Sequence, residues 1–156
     1  MNKSIGGFLS SQNKRLGDRI FEKMIRDSNV EAFSGAQGRI LYVLWENGDM
    51  SISEICKMTS LANSTMTTML DQMEKNGMIT RQRSTENRRL ILVSLTEKAQ
   101  QYQKKYEEIS EQMTQLTYTG FTEEEIQIYE NMLRRIKNNL EEYLYGGEKN
   151  NEGTEF

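Results

Sequence analysis

The chain is 156 residues long, 36% hydrophobic and 28% charged, with 20 basic against 23 acidic side chains and a net charge of −3. That length accommodates one domain, alone or with an oligomerisation extension, and the charge excludes a uniformly basic nucleic-acid binder. With no histidine, a single cysteine and no proline, the chain can build no imidazole-dependent site and no internal disulfide, and nothing kinks its long helical patterns.

The N-terminal stretch MNKSIGGFLSSQNKR has neither a sustained apolar segment nor a small-residue cleavage site, so it reads as unprocessed. No apolar run is long enough to span a bilayer, and the single cysteine fits a reducing compartment. A cytoplasmic protein without membrane contact is expected. Phe8 to Asp27 reads as a helix with Phe8, Leu9, Leu16, Ile20, Phe21 and Met24 as its apolar positions. A sharper start follows at Ser34-Gly35-Ala36-Gln37, where Ser and Gln three apart form a capping box. Ile40, Leu41 and Leu44 give that helix an inner face, and Asn47-Gly48-Asp49 ends it. Ser51-Ile52-Ser53-Glu54 is a second capping box, with Met50 and Ile55 as the matching hydrophobic staple and a stop near Met58.

The next helix is NSTMTTMLDQMEKNG, Asn63 to Gly77. Met66, Met69, Leu70 and Met73 recur at helical spacing and make one buried stripe, and Gly77 supplies the stop. Ser64, Thr65, Thr67 and Thr68 then fall on the outward face near the N-terminus, although their hydroxyls compete for backbone groups and weaken an exposed helix. Past Gly77 the period becomes two. Met78 to Arg83 and Leu90 to Leu95 are β-rich runs around the turn cluster Ser84-Thr85-Glu86-Asn87. They predict a hairpin, with Arg81, Arg83, Arg88 and Arg89 concentrated near its tip. Thr96 to Thr119 returns to helix, and Gly120 interrupts it. Thr122 to Glu125 caps a last helix with Phe121 and Ile126 as staple, running to about Tyr145. Its inner stripe is Ile126, Tyr129, Met132, Leu133, Ile136, Leu140, Tyr143 and Leu144. The polar, Gly-rich residues 147–156 read as a disordered tail.

Charge is unevenly placed. Residues 51–95 carry six basic and four acidic groups, whereas 96–156 carry seven and thirteen, so an anionic partner should meet the middle of the chain. The hydroxyl cluster, taken alone, is equally well a solvated helix start using hydroxyls as caps. Its context argues otherwise: a helix and short turn precede it and a basic hairpin follows. This is the layout of a winged helix-turn-helix, whose recognition helix sets its N-terminal residues against base edges and phosphates. Ser64, Thr65, Thr67, Thr68, Gln72, Arg83, Arg88 and Arg89 are therefore the candidate DNA contacts.

The stretches FSGAQGRILYVLWENGDMSISEICKMTSLANSTMTTMLDQMEKNGMITRQRSTENRRLILVSLTEKAQQY and GFTEEEIQIYENMLRRIKNNLEEY resemble the MarR family of bacterial transcription regulators in order and spacing. The most specific piece is a recognition helix ending in Gly, then a wing and Leu-Thr-Glu-Lys, here Leu95 to Lys98. The resemblance implies a mainly α fold with a small β-hairpin wing. In it residues 1–33 and 96–146 form dimerisation helices around a DNA-binding lobe at 34–95. It also implies an obligate homodimer on a pseudo-palindromic double-stranded DNA operator, acting as a ligand-responsive repressor without a cofactor. The family usually carries Asp-x-Arg in the wing. Here Asn87-Arg88-Arg89 stands there, so Arg89 is the arginine expected in the minor groove and Asn87 its uncharged brace. Thr68 replaces a commonly basic residue, which weakens phosphate attraction or alters the operator.

Tyr42 and Trp45 are candidates to line a small-molecule effector cavity, or else to serve as core or interface residues. Cys56 falls where the family often has a small buried residue; it reads as a packing side chain in preference to a redox sensor. Two other functional classes stand beside the regulator. One is a helical interaction module of the same fold that no longer binds DNA. The other is an enzyme, for which no activated nucleophile or Gly-rich phosphate loop is visible.

Overall fold

The structure, a computed structural model, describes residues 3–146; the expected tail at 147–156 lies outside them. In chain order the elements are α1 (Gly6–Asp27), α2 (Gly35–Asn47), β1 (Met50–Ser51), α3 (Ile52–Thr59) and α4 (Asn63–Lys75). The wing strands β2 (Ile79–Arg83) and β3 (Ile91–Leu95) follow, then α5 (Glu97–Gln101), α6 (Gln103–Thr117) and α7 (Glu123–Tyr145). All three expected capping boxes form, at Ser34/Gln37, Ser51/Glu54 and Thr122/Glu125, each with both reciprocal hydrogen bonds. Local chemistry therefore sets these helix starts: the N-cap side chain satisfies an N–H that has no intrahelical acceptor.

Two local features differ from expectation. The helix predicted from Thr96 to Thr119 is two helices, because the N–H of Tyr102 bonds the Ala99 carbonyl, three residues back, at 3.1 Å. The sheet has three strands in the order β1-β3-β2. β1, only two residues long, pairs antiparallel with β3 through Met50↔Val93 and Ser51↔Leu92. So short a strand exists only because β3 offers it an edge.

The chain divides into two compact units after Met113. In the first, one core joins α1 (Phe21, Ile25), α2 (Ile40, Leu41, Leu44), α3 (Ile55), α4 (Met66, Leu70, Met73), the wing base (Met78, Ile79, Val93) and α5–α6 (Ala99, Tyr106, Ile109). Packing is thus continuous across residues 33/34 and 95/96. Tyr106 is the centre of an aromatic nest. Its ring lies 5.7 Å from Phe21, 6.1 Å from Phe33, 6.2 Å from Tyr42 and 5.3 Å from Trp45. Such edge-on and tilted pairs add to plain apolar burial.

In the second unit Tyr118 packs edge-on to Phe121 and Tyr129 at 5.9 and 6.4 Å. No residue of α7 is buried. Of its expected inner stripe Ile126 is half-buried, and the rest is exposed in the single chain, from 39% at Tyr129 to 90% at Tyr143. Phe8, Leu9 and Leu16 of α1 are likewise exposed.

The nest depends on a missing side chain. A Cβ on Gly38 would stand 2.6 Å from Tyr106 Cε2 and 3.3 Å from Phe33 Cε2. Both rings are buried and locked against neighbours, so neither can yield cheaply. Gly38→Ala should therefore destabilise the protein by about 1–3 kcal/mol despite the gain of about 1 kcal/mol in helix propensity. Urea unfolding of both proteins at one fixed protomer concentration measures the difference.

Candidate nucleic-acid interface

α3 and α4 form the helix-turn-helix, joined through Ser60 in the left-handed conformation (φ 57°). Met66, Leu70 and Met73 of α4 are wholly buried and Met69 is partly so, as the sequence predicts. Ser64, Thr65, Thr67 and Thr68 are exposed. None of them caps the helix. The N-cap is Ala62, without a side-chain cap bond, so the first-turn N–H groups of α4 have no side-chain acceptor. Thr67 and Thr68 donate their hydroxyls to the carbonyls of Asn63 (3.0 Å) and Ser64 (3.3 Å), which leaves their oxygens as outward acceptors. Ser64 and Thr65 keep unpaired hydroxyls among the described residues. Gln72, on the third turn, is exposed but tethered: its Oε1 accepts from Gln37 Nε2 at 3.2 Å. Sequence reasoning used Gln37 only as a cap and missed this reach across to α4.

The wing is a tied loop. Ser84 N–H bonds the Leu90 carbonyl at 2.9 Å, and Ser84 Oγ accepts from the N–H groups of Glu86 and Asn87. Asn87 Oδ1 accepts the backbone N–H of Arg89 at 3.1 Å. Asn87 thus braces the turn through the main chain and leaves the guanidinium alone. The Arg83 guanidinium donates to the Arg88 carbonyl at 2.8 Å. Arg88 and Arg89 are exposed and, among the described residues, in no ion pair.

Arg81 belongs elsewhere. The sequence grouped it with the tip, but the structure points it back to α4. There it pairs with Asp71 at 2.7 Å and Glu74 at 3.1 Å, its side chain only 23% exposed. Register explains the difference: Arg81 pairs with Val93 in mid-strand, not with the turn. On the far side Thr96 Oγ1 donates to the Gly77 carbonyl at 2.6 Å and caps α5, while Lys98 donates to the Asn76 carbonyl at 2.8 Å. The Leu-Thr-Glu-Lys motif therefore fastens the end of α4, where Gly77 turns with φ 74°, to the start of α5.

Residues 33–91 match the model of the MarR family. The chain carries a MarR family domain. Over 103 residues it is 33% identical to the HTH-type transcriptional repressor IacR of Pseudomonas putida, an alignment that covers 66% of this chain and 62% of that one. The chain thus spans less than two thirds of that relative's length. Among solved structures it resembles Bordetella bronchiseptica BpsR, with a TM-score of 0.76 at 23% identity over 85% of this chain and 92% of that one. That structure concerns regulation of DNA binding by 6-hydroxynicotinic acid. It also resembles a mutant MarR from E. coli complexed with operator DNA, with a TM-score of 0.74 at 21% identity over 83% and 91% of the two chains. The winged-helix fold is shared with both.

The remaining candidates on this MarR scaffold are Tyr42, Trp45 and Cys56. Tyr42 is half-exposed, while the indole Nε1 of Trp45 is buried and has no acceptor among the described residues. Both rings lean on Tyr106 in the aromatic nest. Cys56 is half-buried against the core, and its Sγ donates to Asn63 Oδ1 at 3.2 Å. Burial pushes its thiol pKa up, so the reactive thiolate is scarce at neutral pH. Among the described residues no cluster of His, Cys, Asp and Glu is placed to hold a metal ion, and no helix is long and apolar enough to cross a membrane.

Hydrogen bonding from Arg81 holds the Glu74 carboxyl below the usual carboxylate range. The depressed pKa means that this link contributes above the ordinary carboxylate pKa and is lost as pH falls through the folded value. In an NMR titration the Glu74 carboxyl should move up toward its ordinary pKa in Arg81→Met. An unchanged Glu74 titration would show that the wing is not clamped to α4 through this pair.

Proposed function

We propose that this chain is a homodimeric, sequence-specific DNA-binding transcription regulator, and that it acts in the cytoplasm as a ligand-responsive repressor, not as an enzyme. The observation that carries the reading is the pairing of two exposed features. Arg88 and Arg89 stand without ion pairs on a hydrogen-bonded turn, and α4 presents an uncapped N-terminus lined by Ser64 and Thr65. The first suits phosphate and minor-groove contact, the second major-groove and phosphate contact. The repressor name of IacR and the operator complex of MarR support it. In this reading Thr67, Thr68 and Gln72 face base edges, and Arg83 braces the wing while adding charge.

Dimerisation uses the open apolar faces of α1 and α7, which no single chain covers. Two recognition helices then meet major grooves about 34 Å apart, so a small tilt of either lobe spoils both contacts. The BpsR structure supports a small-molecule effector. We place it against Tyr42 and Trp45, where the unpaired indole N–H offers a ready donor.

At micromolar concentration the protein should sediment as a dimer; a stable folded monomer would remove the paired-helix architecture. Duplexes selected from a random pool should bind with steep salt dependence. On such a duplex Arg89→Ala should cost about 1–3 kcal/mol, most where A·T tracts flank the half-sites. Arg88→Ala should weaken all sequences alike and reduce the salt slope by about one. Unchanged affinity in both variants would mean that the hairpin is not a DNA-binding wing, and an interaction module would replace the regulator.

A further inference from the structure

Gln37 and Gln72 form a two-amide chain whose polarity is set from one end. A backbone N–H can only donate, and that of Ser34 donates to Gln37 Oε1 at 3.2 Å. The oxygen of the Gln37 amide is therefore held on the capping side, and its NH2 is turned toward α4. An amide nitrogen is likewise only a donor, so Gln72 must meet it with oxygen, as it does at 3.2 Å. Gln37 is 8% exposed, so its own amide is largely shielded from water. The consequence lies at the exposed end. With its oxygen engaged, Gln72 turns its NH2 outward, on the α4 face it shares with Thr65 and Thr68 at helical spacing.

We propose that Gln37 is a specificity-positioning residue that holds Gln72 as a hydrogen-bond donor toward DNA. The position then reads major-groove acceptors, namely purine N7, guanine O6 or thymine O4. It disfavours the bidentate adenine contact, which needs the amide oxygen and nitrogen together. The inference rests on the DNA-binding reading of α4 and names what one of its side chains recognises. A cap alone does not require it. The equivalent box at Ser51 works with Glu54, so a carboxylate serves capping as well as an amide does.

That interchangeability supplies the test. Gln37→Glu keeps the capping box but turns an acceptor toward α4, so Gln72 must rotate, donate its NH2 inward and present its oxygen to DNA. Full-length wild type, Gln37→Glu and Gln72→Ala are each used to select duplexes from a random pool. The selected sites and their single-base variants are then titrated, and thermal unfolding verifies the fold. The expected result is a shift at one base pair per half-site, from acceptor edges in wild type to adenine N6 or cytosine N4 donors in Gln37→Glu. The preference ratio should change on the order of 5-fold or more, the effect of one net hydrogen bond. Gln72→Ala should lose preference at that same base pair. Should Gln37→Glu not fold, Gln72→Glu keeps Gln37 as donor, presents an acceptor outward and must give the same shift. Identical base preferences in wild type and the folded Gln37→Glu protein, or no shift in Gln72→Glu, overturn the proposal while DNA binding stands. So does a Gln72→Ala protein with wild-type preferences. Failure of the wild type to select any duplex overturns both the relay and the DNA-binding reading.

Discussion

The first unit depends on the close approach of Tyr106 to Gly38. α2 runs through the middle of the core, and only a helix bare at this point lets the ring settle between Phe21, Phe33 and Trp45. That contact joins α1, the loop before α2, and α6 around one side of α2. Ile40, Leu41 and Leu44 of the same helix pack in one core with α3, α4 and β3. The helix-turn-helix thus sits on a platform whose position is set by aromatic packing within the same unit. Close packing transmits small displacements, so an occupant beside Tyr42 and Trp45 would press on the helix that carries α4.

The platform alone does not orient the wing. A two-stranded ribbon is marginally stable in water, and this one is fastened at its base and along its strands. β1 adds a third strand at the base, while Thr96 and Lys98 take the last carbonyls of the α4 turn. Arg81 closes the remaining gap by pairing with Asp71 and Glu74. Exposed pairs of this kind add little to stability, typically about 0.2–1 kcal/mol each. Their effect here is geometric and electrostatic: they tie the wing to α4, and the one guanidinium offsets part of the charge of two carboxylates on the helix proposed to enter DNA. The net charge of −3 is therefore no obstacle to an anionic partner. Acidic groups gather in residues 96–156, and Arg88 and Arg89, in no ion pair among the described residues, stand at the wing tip.

Much of this was readable in one dimension. Capping boxes at Ser34, Ser51 and Thr122, the stripe of Met66, Leu70 and Met73, and the stop at Gly77 are local rules involving residues at most a few positions apart. Hairpin strands and their basic turn follow from alternation and turn chemistry in the same way. The outward position of Ser64, Thr65, Thr67 and Thr68 is the complement of the buried stripe, so periodicity alone settles it.

What required the folded chain is every feature made by residues far apart in sequence. β1 exists only because β3 lies beside it, and no pattern within Met50–Ser51 announces a strand. Gly38 reads as an indifferent helical glycine until the Tyr106 ring arrives from α6. Arg81 and Arg83 look alike in sequence, yet strand register sends one back to α4 and leaves the other to brace the tip. Gln37 announces itself as a cap, and only the folded chain gives its other end to Gln72. Sequence determined which elements form and which face of each is apolar, because those depend on nearest neighbours along the chain. The tertiary structure decided which polar groups are already engaged and which remain to meet a partner, because hydrogen-bond polarity and ion pairing depend on neighbours in space.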